Sequence, residues 1–260
     1  MRSDHPDNPT RLTWWFPRLP SSIPTPRTLI IDGIDSYQVM SSVYDGNAAS
    51  MLEVVAAAEK IRQAALEVGL PAFLRTDITS AKHGWENTCF LATADVNTIV
   101  GHMAEIVEYA EMGNAPLSYA FVVREMLQSI PICDESGAPV VAFHGRMPIT
   151  EERRIFVRDG SVVCSHPYWP AEAIRGHTKS ESWEADLETS NELDWWDESE
   201  LRRMSEEVSR ALPGAWSVDW LCTRDRGWVL IDMAQAHTSY HWEGCLHEES
   251  LRSGPTPDGV

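Results

Sequence analysis

Two aspartates near the end of the sequence have the spacing expected for a shared binding site. Asp219 and Asp232 lie in WSVDWLCTRDRGWVLIDMA, residues 216–234, which predicts two apolar strands joined by a tight turn. Such a hairpin brings both carboxylates to one face. Like charges that close need a cation, and Mg²⁺ binds one or two carboxylates together with phosphate oxygens. The alternative is that one aspartate is an ordinary turn residue and the other pairs with an arginine.

An arginine in an earlier strand supplies a second element of this chemistry. Alternation along TEERRIFVRDG, residues 150–160, places Arg154 on one face with Glu152 and Phe156, and Arg153 on the other. Only Arg154 is therefore expected to face a binding cleft, where a guanidinium can hold a phosphate or carboxylate through two hydrogen bonds. A solvated, charged strand surface is the alternative interpretation.

Two further cations occur earlier, in FLRTDITSAKHGW, residues 73–85. Arg75 lies at a predicted strand end and Lys82 in the following loop, an arrangement that brings positive charge to a polyphosphate. The loop has no glycine before Gly84, so it matches neither the P-loop nor the dinucleotide-binding fingerprint. An exposed, salt-bridging edge would explain the same pair.

The segment VVREMLQ, residues 122–128, ends a strand that is expected to be buried. The backbone from Glu125 to Leu127 would offer the edge hydrogen bonds that an adenine ring needs, between apolar side chains. Core packing alone also explains Val122 and Val123.

Composition excludes several classes of function. The 260 residues carry a formal charge of −18, which disfavours nucleic acid as a partner. The five cysteines are scattered and form no CxxC pair, so they suggest neither a disulfide scaffold nor a zinc site. No apolar stretch is long enough to cross a membrane, and the polar start lacks a secretory signal. A cytoplasmic protein is expected, of undetermined oligomeric state.

The predicted elements indicate an α+β fold in two lobes. Helices are expected over 48–68, 95–112 and 198–212, and Asp159-Gly160 marks the turn of a hairpin. Residues 176–197 are acidic and weakly periodic, and are expected to be a loop with short helical turns. The predicted organisation is an N-terminal segment of extended chain, strand and helix at 1–70, a first lobe at 71–130, a second at 131–245 and a flexible tail at 246–260.

Taken in order, these four motifs resemble the ATP-grasp superfamily, over roughly residues 70 to 240. The resemblance implies two α+β lobes that clasp ATP. It also implies a ligase that activates a carboxylate as an acyl phosphate and joins it to an amine or similar nucleophile, so the expected partners are small-molecule carboxylates and amines.

Carried over position by position, the resemblance implies a role for each motif. Magnesium would be held by Asp219 and Asp232, and Arg154 would contact the transferring phosphate or the acyl phosphate. The implied catalytic residues are Arg154 and Lys82. The implied ATP-binding residues are Arg75, Lys82, Arg124, Glu125, Met126 and Leu127.

The sequence departs from the superfamily pattern at three places. Arg75 occupies the strand position where a lysine is usual, the loop after it is poor in glycine, and Ala234 stands where an asparagine metal ligand is expected. Arginine keeps the charge but changes its geometry. The sequence therefore leaves two other functions open: an ATP-binding module that has lost catalysis, and a ligase that loads an amino acid onto a macromolecule.

Overall fold

The structure is a computed structural model that describes residues 8–46, 48–142, 147–178 and 180–252. The chain forms two compact units, of which the first contains the residues up to Trp14 and Pro26–Leu127, and the second contains Trp15–Thr25 and the chain from Gln128 onward. The division after Leu127 lies close to the lobe boundary predicted near residue 130.

The helices and strands are labelled in chain order. The helices are α1 (Leu12–Trp15), α2 (Ser36–Tyr44), α3 (Ala48–Val68), α4 (Val96–Met112), α5 (Trp183–Ser190), α6 (Trp195–Ala211) and α7 (Glu248–Arg252). The strands are β1 (Thr28–Asp32), β2 (Ala72–Thr76), β3 (Phe90–Leu91), β4 (Ala120–Glu125), β5 (Val141–Ala142), β6 (Met147–Pro148), β7 (Glu152–Arg158), β8 (Ser161–Pro167), β9 (Ala215–Thr223) and β10 (Gly227–Gln235).

The first unit is a four-stranded antiparallel sheet packed against helices. Its strand order is β1-β4-β2-β3. Apolar side chains from one face of this sheet form a core with α2, α3 and α4, which leaves the other face without helices from this set. Fully buried members of that core include Ile61, Leu74, Leu91, Ile99, Phe121 and Val123.

The two long helices of this unit confirm the sequence prediction. The alanine-rich α3 covers residues 48–68 and is followed by Gly69, which has a φ of +97°. The helix α4 begins after Asp95, whose carboxylate accepts a hydrogen bond from the Thr98 N–H. The polar helix α2 was not predicted, although Asp35 caps it in the same way.

The prediction of a separate segment at 1–70 is wrong. Strand β1 pairs with β4 along its whole length, from Thr28 opposite Arg124 to Asp32 opposite Ala120. Helix α3 contributes Val54, Ala58 and Ile61 to the core that β2 and β4 share. The pairing is between strands about ninety residues apart, which no local pattern reveals.

The second unit contains a four-stranded antiparallel sheet in the order β10-β9-β7-β8. Asp159 and Gly160 turn the predicted β7–β8 hairpin, with φ values of +50° and +85° that a tight hairpin turn requires. Helix α6 covers one face of this sheet, where the Trp220 indole N–H donates to the Ser205 hydroxyl at 3.0 Å. Small strands β5 and β6 form a separate pair.

Two sequence predictions for the second unit need correction. The predicted flexible tail at 246–260 contains α7, whose Leu251 is buried against Phe156 and Ala236. Residues from 253 onward lie outside the described part. The acidic segment at 176–197, predicted as loop, contains the eight-residue helix α5 and the start of α6. Within the described residues, no helix combines the length and apolarity that a membrane crossing needs.

Candidate functional site

Four polar side chains form a row across the sheet of the second unit. Asp232 is the register partner of Asp219, Asp219 of Arg154, and Arg154 of His166, so each strand contributes one residue. Directly opposed residues of an antiparallel sheet point to the same face. Because Trp220 points to α6, its neighbour Asp219 and the whole row lie on the opposite face.

Arg154 and Asp219 form the centre of this row. The Nε and one terminal nitrogen of Arg154 donate to the two carboxylate oxygens of Asp219, each at 2.8 Å. The guanidinium also lies 4.7 Å from the Tyr168 ring centre and donates to the Tyr240 carbonyl at 3.3 Å. Burial alone would lower the pKa of Arg154, but the charge and hydrogen bonds of Asp219 outweigh it and raise that pKa. Arg154 is therefore a fixed cation.

This ion pair changes the expected role of Asp219. Both of its oxygens already accept hydrogen bonds from Arg154, which is the arginine pairing that the sequence allowed as an alternative. A carboxylate still has further lone pairs, so Asp219 can bind a cation while Arg154 orients it. Asp232 follows a β-bulge and is half-buried. Two hard oxygen donors on one face fit magnesium, whereas Ala234 offers no side-chain ligand.

Glu152 extends this surface along β7. It is buried, and its carboxylate accepts hydrogen bonds from the Thr150 hydroxyl at 2.6 Å and from the Trp169 indole N–H at 3.0 Å. Strand alternation had placed Glu152 on the side of Arg154, as observed, but gave it no role. Arg153 points to the α6 side, where burial lowers the pKa of its guanidinium. Arg153 and Arg154 thus point to opposite faces of the sheet, as the alternation along β7 predicts.

At the end of the row, His166 is half-buried. Burial lowers the pKa of its imidazole to about 4, and the neighbouring His241 and Arg154 act in the same direction. The ring is therefore neutral near pH 7.

The first unit places two arginines on the sheet face opposite its helices. Arg75 is the register partner of Val122, and Arg124 is the partner of Phe73, so the two guanidinium-bearing side chains are diagonal neighbours on β2 and β4. Both are at least 96% buried. Their Nε groups donate to neutral oxygens, of the Thr76 carbonyl and the Thr28 hydroxyl respectively, at 3.0 Å. Two such cations suit a polyphosphate.

Lys82 lies in the loop that follows β2. It begins a 3-10 segment, Lys82–Asn87, after a turn in which the Thr76 hydroxyl accepts the Thr79 N–H at 3.0 Å. Burial raises the pKa of the Cys89 thiol to about 12, while the charges of Lys82 and Arg75 act in the opposite direction. Both cations therefore act electrostatically on the same thiol.

Three aromatic residues next to Arg75 were not predicted. Trp85 stacks on Phe90, with ring centres 5.5 Å apart and an interplanar angle of 21°, and lies 6.2 Å from Phe73. Phe73 is two residues before Arg75 on β2 and shares its face. The alternation of residues along β2 was the one sequence signal that could have placed Phe73 on the face of Arg75.

The predicted adenine-binding edge is partly wrong. The N–H of Glu125 donates to the Arg27 carbonyl at 3.0 Å, and its carboxylate accepts the Arg27 N–H at 2.7 Å. The strand edge at Glu125 is thus already used inside the first unit. Arg124, which the resemblance implied for ATP binding, points onto the sheet face. Met126 and Leu127 follow the end of β4 and are half-buried.

A buried ion pair fixes the start of the Lys82 loop. Arg11, which is fully buried, donates to Asp77 at 2.8 Å and to the Leu117 carbonyl at 2.6 Å. The Ser118 hydroxyl donates to the other oxygen of Asp77 at 2.6 Å. Nothing in the polar N-terminal sequence distinguishes Arg11 from an exposed arginine, so sequence reasoning missed it.

Comparison with known proteins gives a family and a fold for the chain. A family model described as "ATP-grasp domain, R2K clade family 3" matches residues 38–246. No curated protein sequence matches the chain significantly. Among solved structures, the chain is similar to Cdc123 from Schizosaccharomyces pombe, with a TM-score of 0.50 and 13% identity, covering 86% of this chain and 82% of that one. This likeness shows the fold alone.

Two further solved structures are similar over a smaller share of their own length. An ATP-grasp RimK domain protein from Sphaerobacter thermophilus has a TM-score of 0.38 and 16% identity, covering 82% of this chain and 52% of that chain. The D-alanine-D-alanine ligase from Coxiella burnetii has a TM-score of 0.42 and 11% identity, covering 82% of this chain and 43% of that one.

Proposed function

We infer a function from the premise that this chain belongs to the ATP-grasp domains of R2K clade family 3: it is an ATP-dependent ligase that joins a carboxylate to an amine or similar nucleophile. The observation that carries this proposal is the row of Asp232, Asp219 and Arg154 on one face of the second sheet. It combines two hard oxygen donors with a fixed cation, the groups that phosphoryl transfer needs.

In the first unit, Arg75, Arg124 and Lys82 would bind the phosphates of ATP. Guanidinium groups stay charged when buried and can bond two phosphate oxygens at once. The aromatic cluster around Trp85 lies beside these cations and would limit access of water. Met126 and Leu127 would pack against the adenine ring, with no hydrogen bond from the Glu125 N–H.

In the second unit, Asp219 and Asp232 would hold magnesium through their carboxylates. Magnesium held there would supply positive charge that compensates the charge of phosphate oxygens. Arg154 would orient Asp219 and direct positive charge at the phosphoryl group. The γ-phosphoryl passes from ATP to the substrate carboxylate, which gives ADP and an acyl phosphate. The amine then displaces inorganic phosphate and loses a proton.

A second candidate is an ATP-binding module without catalysis. Two observations favour it: Ala234 cannot replace the expected asparagine ligand, and both oxygens of Asp219 are engaged by Arg154. Such a module would still bind ATP through the arginines of the first unit. The proposed loading of a macromolecule differs from the first candidate only in the acceptor.

The test mixes the full chain with ATP, magnesium and pooled amino acids, and measures ADP and phosphate release. Asp232→Asn should abolish release, whereas Asp225→Asn, in the exposed turn of the same hairpin, should not. Absence of release, together with protection of the wild-type chain from thermal unfolding by ATP, would favour the second candidate. Absence of both would overturn the two candidates together.

A further inference from the structure

Two thiols and two imidazoles converge at the His166 end of the row that contains Arg154, Asp219 and Asp232. The side chains are those of Cys164, His166, His241 and Cys245, and one potential ligand atom from each lies within 4.8 Å of all the others. All four belong to the second unit, and His241 is 8% exposed. None of these groups has a part in the proposed ATP chemistry.

The fold brings this cluster together through two short motifs. Cys164 and His166 are two residues apart on β8, so they point to the same face of the sheet. Their register partners on β7 are Phe156 and Arg154. The second pair, in His-x₃-Cys spacing, lies in the segment after β10.

That second segment is attached to β8 at a defined point. The Trp242 indole N–H donates to the Pro167 carbonyl at 2.8 Å, next to His241. The imidazole of His241 packs against Phe156, with ring centres 4.4 Å apart. The residues that carry the second motif are therefore fixed over the first.

The spacing and chemistry of the four groups match one kind of ion. Tetrahedral Zn²⁺, with Zn–S bonds of about 2.3 Å and Zn–N bonds of about 2.0 Å, holds its ligand atoms about 3.3 to 3.8 Å apart. The Cys164 sulfur lies 3.2 Å from Nε2 of His241, and the full set needs only small side-chain adjustments to close. Two sulfur and two nitrogen ligands favour zinc over magnesium, which prefers oxygen.

One nitrogen in the cluster indicates a missing partner. Nε2 of His166 is buried and has no hydrogen-bond partner among the described residues. A buried polar nitrogen without a partner is costly, so such atoms are uncommon in folded proteins. A cation bound at this nitrogen would compensate that cost.

We propose that Cys164, His166, His241 and Cys245 bind one zinc ion in a closed, structural site. On binding, each thiol releases its proton, and two thiolates neutralise the charge of Zn²⁺. Four protein ligands leave no open position, so the ion would not activate water. It would attach the segment after β10 to β8. That segment includes Tyr240, whose carbonyl accepts a hydrogen bond from Arg154.

The experiment uses the full reduced chain, loaded with zinc and freed of excess metal. Elemental analysis should give one zinc per chain, and Cys164→Ser and Cys245→Ser should each lose it. Cys133→Ser is the matched control, because Cys133 is exposed and outside the cluster, and should retain one zinc. Cobalt in place of zinc should give the visible spectrum of a tetrahedral ion with a thiolate-to-metal band.

Three results of the zinc and cobalt measurements would overturn the proposal. They are a reduced wild-type chain without zinc, zinc retained equally in both serine variants, or a cobalt spectrum without the thiolate band. If the serine variants do not fold, zinc should protect two cysteines of the wild-type chain from alkylation, identified by peptide mapping as Cys164 and Cys245. A Cys164–Cys245 disulfide that persists under reducing conditions would also exclude the site. None of these readouts depends on ATP.

Discussion

Arg154 and Asp219 lie directly opposite each other on β7 and β9 and are joined by two parallel hydrogen bonds of 2.8 Å. The side chains are 17% and 8% exposed, so the pair is largely removed from water. A carboxylate in an apolar strand is thus compensated by the protein itself. Any magnesium held at Asp219 would share that carboxylate with Arg154.

We expect Arg154→Met to destabilise the chain by about 3 kcal/mol, because it leaves a buried carboxylate without its partner. The measurement is chemical unfolding monitored by tryptophan fluorescence. Asp219→Asn should also destabilise, because the buried guanidinium then lacks a counter-charge.

The double variant provides the control for this pair. Arg154→Met with Asp219→Asn should cost less than the sum of the two single changes, by about 1 kcal/mol or more. Strict additivity of the two single effects would show that the ion pair does not couple these positions.

Arg75 should be replaceable by lysine but not by an uncharged residue. If Arg75 binds phosphate, Arg75→Met should weaken ATP binding by about 1.5 to 3 kcal/mol, the value of a hydrogen bond to a charged group. Arg75→Lys keeps the charge and should lose less. ATP titration by calorimetry measures the change, with Arg62→Met on the surface of α3 as the matched control. Equal affinity in Arg75→Met and wild type would remove Arg75 from the site.

Arg11 should be essential for the stability of the first unit. The side chains of Arg11 and its partner Asp77 are 1% and 2% exposed. Arg11→Met would leave the Asp77 carboxylate buried without a counter-charge, and should lower the free energy of unfolding by about 3 to 5 kcal/mol. Arg62→Met disrupts an ion pair with Glu59 that is 31% and 45% exposed, and should lower the free energy of unfolding by less than about 1 kcal/mol. Thermal unfolding of both variants distinguishes these outcomes. If Arg11→Met and Arg62→Met unfold at similar midpoint temperatures, the buried ion pair of Arg11 and Asp77 does not stabilise the first unit as proposed.

The Cys89 thiol should resist alkylation at pH 8, whereas the exposed Cys133 should react. Burial raises the pKa of Cys89 to about 12, so little of the reactive thiolate forms. Peptide mapping after treatment with iodoacetamide measures both sites. Rapid labelling of Cys89 would contradict its burial between the sheet and the Lys82 loop.

The same pKa predicts a dependence of stability on pH. From about pH 9 up to about pH 12, the unfolded chain has lost the Cys89 proton while the folded chain keeps it, so the free energy of unfolding falls as pH rises. The free energy of unfolding of Cys89→Ala should fall less steeply with pH over this range. Cys133→Ala serves as the control and should keep the wild-type slope.

Local sequence was sufficient for elements whose signals are local. The alanine-rich stretch 48–68 forms the helix α3, as predicted. The dipeptide Asp159-Gly160 forms the predicted hairpin turn. The order of motifs also predicted the ATP-grasp fold, which the family match confirms. These signals depend on residues that are close together in the chain.

The errors concern partners that are distant in the chain. The pairing register of β7 and β9 alone decides that Asp219 lies opposite Arg154. If β9 were shifted by one residue, the Asp219 side chain would point to the α6 side of the sheet. The Glu125 N–H was assigned to a free strand edge because the pairing of β1 with β4 was not anticipated. The Cys164 and Cys245 side chains lie eighty-one residues apart in sequence, so counting cysteine spacings could not bring them together.

The stretch Trp15–Thr25 belongs to the second unit although residues on both sides of it belong to the first. Its Trp15 and Ile23 are buried, and the Pro24 carbonyl accepts the N–H of Leu230 on β10. A cut after Leu127 therefore leaves the first unit whole but separates this stretch from the rest of the second unit. Gene fragments that begin at Gln128 would lack this stretch and are poor starting points for expression, and recombination between relatives at that point would exchange an incomplete second unit.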